Sequence, residues 1–328
     1  MQELKQWFKL FRAQTMPATL LLLVTAFLVG GGHLFSIEGV LVCLFALLAH
    51  LFSFGENSLL DTTQGFDTKD PSKSSHPLIT GEISVESATN VIHTGIILTA
   101  FFGIFLAWCC GGKFVFAILS LFLFSLFGEW YNKGNKVTTL SFLPISLCFT
   151  ALVFYGYFIV ATELSLLMML VAAYVYVRIH FQIDISGNIK DIETGERNML
   201  KKIGAKIETG VFYSGKAKLY GFGLTFMEIV IGLWIYVQYT FTFWTLPFII
   251  FFMGTGVYFV WRLVKKRAWD RDKSLMDMSL VEIAFIYALP VILAPIIGYL
   301  EVFVLLIFGV IYFFFTNRLL WESLHPGV

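Results

Sequence analysis

The chain has 328 residues, 58% of them hydrophobic and only 14% charged, with a formal net charge of +1. Soluble proteins run nearer about 45–50% apolar and about 25% charged, so the composition excludes an ordinary soluble protein and predicts a polytopic membrane protein. The near-neutral balance excludes a nucleic-acid partner held by clustered basic excess. The four cysteines, Cys43, Cys109, Cys110 and Cys148, lie in apolar runs without CxxC spacing, so neither a disulfide framework nor a zinc site is expected.

Residues 1–15 mix Lys5, Lys9 and Arg12 with Trp7, Phe8, Leu10 and Phe11. This is the pattern of an interfacial amphipathic helix, not of a cleaved signal peptide. A spanning helix needs about 20 mostly apolar residues. Runs that qualify are predicted near 16–35, 37–55, 90–110, 113–130, 139–161, 163–183, 218–238, 241–262, 279–297 and 299–317, the last two open to being a broken pair. Polar stretches remain at 56–88, 131–138, 184–217 and 263–278. With ten spans, these stretches and both termini share one face, and that face carries every Lys and Arg of the 23 except Lys113. Lys and Arg are retained on the cytoplasmic side, so an integral, multi-pass protein with both termini cytoplasmic is expected. No repeat of 20–50 residues is visible. The expected fold class is all-α, a helical membrane bundle forming a single domain over 1–328.

The first large polar stretch, 56–88, carries Asn57 and Asp61 four residues apart, on one face if the second span continues into the loop. His50 lies on the same stripe, and Gly65 is placed to break the helix and turn Asp67 back towards Asp61. The other long stretch, 184–217, opens with His180, Asp184, Asn188 and Asp191 at spacings of 4, 4 and 3, one helical face at the end of the sixth span. Either loop alone also reads as a solvated connector, and His50 and His180 as hydrogen-bonded core residues. Carboxylates at a bilayer edge are costly unless paired or metal-bound, so two acidic stripes at equal depth point to a common hard-cation site. Oxygen donors without thiolate favour Mg2+, which takes one or two carboxylates and completes its octahedron with water and substrate phosphate. A secondary transporter with acidic ion-coupling residues is the rival reading, although such sites usually lie at the midplane on broken helices.

At these residues the chain resembles the UbiA superfamily of intramembrane prenyltransferases. Asn57, Asp61, Gly65 and Asp67 match its first motif, and His76-Pro77-Leu78 through Gly81, Ile83 and Ser84 match that motif's ending. Asp184 and Asp191 match the second motif in interval, and the phrase from Asn188 to Thr194 is similar to the menaquinone branch. The chain departs from the pattern after Thr194. The third Asp of the motif is absent, with Gly195 in its place or about four residues missing, and Glu193 or Glu196 as substitutes. Tyr131, Lys133 and Lys136 resemble the Tyr and Lys that hold diphosphate oxygens.

The resemblance implies nine to ten transmembrane helices in a bundle around a central cavity. It implies Mg2+ as cofactor, held by Asn57, Asp61, Asp67, Asp184, Asn188 and Asp191, with Asp61, Asp184 and Asp191 catalytic. Lys73, Tyr131, Lys136, Lys190 and Arg197 would then bind the diphosphate. The partners implied are a polyprenyl diphosphate donor, a hydrophobic acceptor (an aromatic quinone precursor or a lipid) and the surrounding membrane lipid. Two divergent outcomes stay open, a terpene cyclase and an enzyme acting on a glycerol-phosphate lipid.

Overall fold

The computed structural model describes residues 2–67, 73–133, 140–190, 192–193 and 199–322. In chain order its elements are α1 (Gln2–Leu10), α2 (Met16–Val29), α3 (Ile37–Thr63), α4 (Pro77–Thr80), α5 (Val85–Cys109), α6 (Phe114–Asn132), α7 (Phe142–Phe158) and α8 (Leu166–Phe181). A π-helical turn, Gln182–Gly187, runs into the short α9 (Asn188–Lys190). Then follow α10 (Met199–Lys202), β1 (Lys206–Glu208), β2 (Val211–Tyr213), α11 (Ala217–Ile235) with a second π turn, Tyr236–Thr240, α12 (Leu246–Val264), β3 (Arg267–Ala268), α13 (Arg271–Ile297) and α14 (Tyr299–Trp321).

Several helices start where a side chain satisfies an orphan backbone N–H. Ser36 caps α3 through Gly39 N at 3.0 Å, Ser84 caps α5, Ser165 caps α8 and Asp270 caps α13, the residue types that best accept from the first turn. Proline near the start of α2, α4 and α12 removes a donor that has no partner there in any case.

Among the described residues eight helices are long and apolar enough to cross a membrane, and α1 with the chain from Ala13 to Val29 forms a ninth candidate bent by 59°. The span expected at 139–161 is α7, 17 residues long, shorter than the about 20 that a perpendicular crossing needs.

Contacts divide the chain into two compact units, one of Met1–Lys133, Ala151–Glu163 and Phe303–Val328, the other of Gly134–Thr150 and Leu164–Val302. In the first, α2 and α5 pack on α3. Close approach is possible because Gly103 of α5 leaves no room for a side chain between Phe45 of α3 and Leu121 of α6; small residues let helices approach where lipid supplies no hydrophobic drive. A cluster of Leu10, Phe11, Leu59, Leu78, Ile83, Ala88 and Ile92 joins α1, α3, α4 and α5. In the second, α8, α11, α12 and α13 pack together, with Gly256 of α12 against the ring of Phe285 of α13. Arg178 of α8 lies between Glu228 of α11 at 3.3 Å and Glu282 of α13 at 3.5 Å, tying three helices by a buried ion cluster.

One element was not expected from the sequence. β1, β2 and β3 form a small antiparallel sheet in that order, so the polar stretches 184–217 and 263–278 are joined by backbone pairing. Register pairs Glu208 with Val211, leaving Thr209 and Gly210 as a two-residue loop, both at positive φ (48° and 74°). That is the backbone of a tight hairpin turn matched to strand twist. Strands this short carry too little periodicity to be read from sequence.

Candidate functional site

In the first unit α3 continues to Thr63, so Asn57 and Asp61 lie one above the other on a continuous helix. The helix then stops abruptly. Gly65 takes φ 79°, Phe66 N donates to Asp61 O at 2.8 Å and Gly65 N to Thr62 O at 3.1 Å, a paired closure that satisfies the last carbonyls and reverses the chain. The reversal places Asp67 in a buried position (6% exposed). Its Oδ1 lies 4.0 Å from Lys73 Nζ, while its Oδ2 is buried with no hydrogen-bond partner.

Asn57 Nδ2 donates to Asn132 Oδ1 at 2.9 Å, and Asn132 Nδ2 donates to Glu56 Oε2 at 3.1 Å. This commits the amide nitrogen of Asn57 and leaves its carbonyl oxygen as the atom for a cation. Asp61 Oδ2 pairs with Arg12 Nη2 at 3.5 Å, and Arg12 Nε donates to Ser58 Oγ at 3.2 Å. Arg12 itself sits in the left-handed region, φ 48°, at the break between α1 and α2. Its carbonyl accepts from Thr15 Oγ1 and meets His50 Nε2 at 3.2 Å, while His50 Nδ1 reaches Thr19 Oγ1 at 2.8 Å. His50 is therefore a brace for the N-terminal bend, and Arg12, which the sequence marks only as a charge of the amphipathic segment, comes to lie beside Asp61.

His76 is buried and neither ring nitrogen has a partner among the described residues. Burial, with the Lys73 and Arg12 cations added, pushes its pKa down to about 3. Tyr131 is half-buried on α6, and Lys133 is exposed and held by Glu129 at 2.6 Å. Lys136 lies outside the described residues, as do Asp191, Gly195, Glu196 and Arg197.

In the second unit the single helical face expected for His180, Asp184, Asn188 and Asp191 is interrupted. The π turn Gln182–Gly187 adds a residue to one turn and shifts the phase of everything after it. Asn188 consequently braces the backbone, donating from Nδ2 to Ile183 O at 3.0 Å and accepting from Met199 N at Oδ1, 3.1 Å. Asp184 is fully buried. Tyr220 Oη of α11 donates to its Oδ2 at 2.7 Å, and His180 Nε2 lies 3.2 Å from the same oxygen, whereas Oδ1 has no hydrogen-bond partner. Lys190 is half-buried and Glu193 exposed.

Among the described residues no three His, Cys, Asp or Glu side chains converge into a metal cage. The donors instead suit a hard cation that needs only one or two carboxylates and takes its remaining ligands from water and phosphate. Each unit has one bare buried carboxylate oxygen of the kind a cation fills, Asp67 Oδ2 in the first and Asp184 Oδ1 in the second, since an unpaired buried acceptor otherwise costs about 1–3 kcal/mol.

The sequence model of the UbiA prenyltransferase family matches residues 18–289. Comparison with curated proteins gives no match. Among solved structures, a UbiA homologue from Archaeoglobus fulgidus bound to GPP and Mg2+ is 19% identical with a TM-score of 0.61, over 88% of this chain and 99% of that one. A structure of digeranylgeranylglyceryl phosphate synthase is 17% identical with a TM-score of 0.59, over 88% and 99%. An apo UbiA homologue from Aeropyrum pernix K1 is 15% identical with a TM-score of 0.62, over 86% and 96%. At these identities the likeness is one of fold.

Proposed function

The chain belongs to the UbiA prenyltransferase family, and from that premise we propose how its residues carry out prenyl transfer. It is a transferase and an integral, multi-pass membrane protein. We assign its donor as a polyprenyl diphosphate, its acceptor as a hydrophobic molecule, and its cofactor as Mg2+, the ion seen with GPP in the Archaeoglobus fulgidus homologue.

In this reading Asn57, Asp61, Asp67, Asp184 and Asp191 supply oxygen ligands. Asn188, also in the expected set, serves chiefly to hold the backbone after the π turn. The ligand residues would hold Mg2+, which when bound would supply positive charge to stabilise the departing diphosphate. Lys73, Lys136, Lys190 and Arg197, joined by Arg12, neutralise the remaining charge, and Tyr131 donates a hydrogen bond, as the allylic C–O bond breaks and its electron pair leaves with the diphosphate. The allylic cation is then captured by the acceptor, which loses a proton. Arg12 is suited to this role because its guanidinium already lies beside Asp61, where a diphosphate would replace the carboxylate as partner.

The observation that carries the reading is the pair of buried, partnerless carboxylate oxygens on Asp67 and Asp184, one in each motif. The transporter reading loses its support, because family membership accounts for the acidic stripes. The test is diphosphate release from geranylgeranyl diphosphate with Mg2+, with either a quinone precursor or a glycerol-phosphate lipid supplied. Product with the aromatic acceptor assigns the quinone branch and product with the glycerol-phosphate lipid assigns the other. Prenyl hydrocarbon formed with neither would identify a cyclase, and no release at all would contradict prenyl transfer.

A further inference from the structure

Asp184 is fully buried in the second unit, and its hydrogen bonding is one-sided. Its Oδ2 receives the Tyr220 hydroxyl at 2.7 Å and lies 3.2 Å from His180 Nε2, and those two groups are themselves linked at 2.6 Å. Its Oδ1, equally buried, receives nothing. The His180 ring cannot swing away easily. It stacks on Phe142 with centroids 3.7 Å apart and planes 7° from parallel, and the rings of Tyr176 and Tyr220 close on it edge-on. Phe142, Tyr176 and Tyr220 thus fix the His180 ring, and His180 and Tyr220 both reach the same carboxylate oxygen.

We infer that His180 and Tyr220 are positioning residues that occupy Oδ2 of Asp184 and present Oδ1 alone as a single-atom ligand for a small divalent cation. The inference rests on the reading of Asp184 as a Mg2+ ligand. Charge-assisted donors on one oxygen are strong enough to hold the carboxylate plane, and partners that orient metal ligands in this way commonly change metal affinity by about 10–100-fold when removed. The arrangement also selects the metal. Mg2+ demands tight octahedral geometry, whereas Ca2+ is larger and accepts both oxygens of one carboxylate. With Oδ2 occupied, two-oxygen binding is blocked and Ca2+ loses its advantage.

The test is Mn2+ binding to the detergent-solubilised full chain, followed by electron paramagnetic resonance, with Mg2+ and Ca2+ as competitors. Tyr220→Phe is expected to weaken Mn2+ binding by about 10–100-fold and to raise the potency of Ca2+ relative to Mg2+ by about tenfold or more, since Oδ2 becomes free. His180→Leu should behave alike, and His180→Gln, which restores an N–H donor, should return towards the parent. Unchanged affinity and unchanged Ca2+/Mg2+ ranking in Tyr220→Phe, with Asp184→Asn impaired, would overturn the inference. A Tyr220→Phe loss that persists undiminished in the Asp184→Asn background would overturn it as well, because the effect would not pass through Asp184. Asp184→Asn binding Mn2+ like the parent would instead remove the ligand reading beneath it.

Discussion

Asp61 and Asp67 are held in different ways, and their substitutions should differ accordingly. Asp61 is partly exposed and pairs with Arg12, so Asp61→Ala removes a ligand and frees a cation without leaving a buried hole. Turnover is expected to fall by at least about 100-fold, the scale of a lost transition-state contact, with the melting temperature close to that of the parent. Asp67 is buried beside Lys73, and Asp67→Ala removes a buried carboxylate next to that ammonium and leaves a cavity in its place, so loss of activity should be accompanied by a lower melting temperature. Turnover assays with thermal unfolding in detergent check both, and normal turnover in Asp61→Ala would contradict its assignment. These residues were legible because their spacing survives any fold that keeps α3 helical to Thr63. Arg12 was not, because its meeting with Asp61 depends on a 59° bend that local sequence does not announce. His76 gives a pH effect of defined sign. Its folded pKa of about 3 lies below the ordinary 6.5, so between those values the opened state binds more protons and stability falls as pH falls. From pH 7 to pH 5 the loss is about 2 kcal/mol, at about 1.4 kcal/mol per pH unit. Unfolding measured at both pH values should show a smaller difference in His76→Gln, and an equal difference would show that His76 does not titrate on opening.

At the scale of elements, the two motifs end their helices by different devices. The first is closed by a glycine in the left-handed region, a signal that Gly65 displays openly. The second runs through a π turn, and no residue type marks where a helix will take an extra residue. That is why the place of Asp184 at the end of a helix is legible in the sequence but the use of Asn188 as a brace is not. The Arg178–Glu228–Glu282 cluster holds three helices of the second unit, and Ser186 of the π turn lies 3.4 Å from Glu282, so the cluster also anchors the segment that carries Asp184. Removing one partner from a buried ion group typically costs about 3–5 kcal/mol. Arg178→Met is therefore expected to lower the melting temperature clearly, since it leaves two buried carboxylates without their cation; an unchanged melting temperature would show that the cluster contributes nothing to stability.

For the whole molecule, composition and hydropathy were sufficient to place nearly every span, because a helix that crosses a bilayer needs about 20 mostly apolar residues, a signal that sequence displays directly. The short α7 and the bent start of the chain are the exceptions, one near the length threshold and the other split by a break. The small sheet joining the polar stretches escaped notice for the opposite reason, since three short strands carry no detectable period. The Lys and Arg distribution predicts an orientation with both termini cytoplasmic, and single-cysteine labelling near Lys5 and Lys113 should then report opposite sides. The central claim, that this chain binds a prenyl diphosphate through Mg2+ on its two acidic motifs, is tested most directly by measuring geranylgeranyl diphosphate binding to the solubilised protein with Mg2+ and with EDTA. Binding that is lost in EDTA and weakened by both Asp67→Asn and Asp184→Asn is the predicted result. Binding that is absent, or equally tight without metal, would contradict the account.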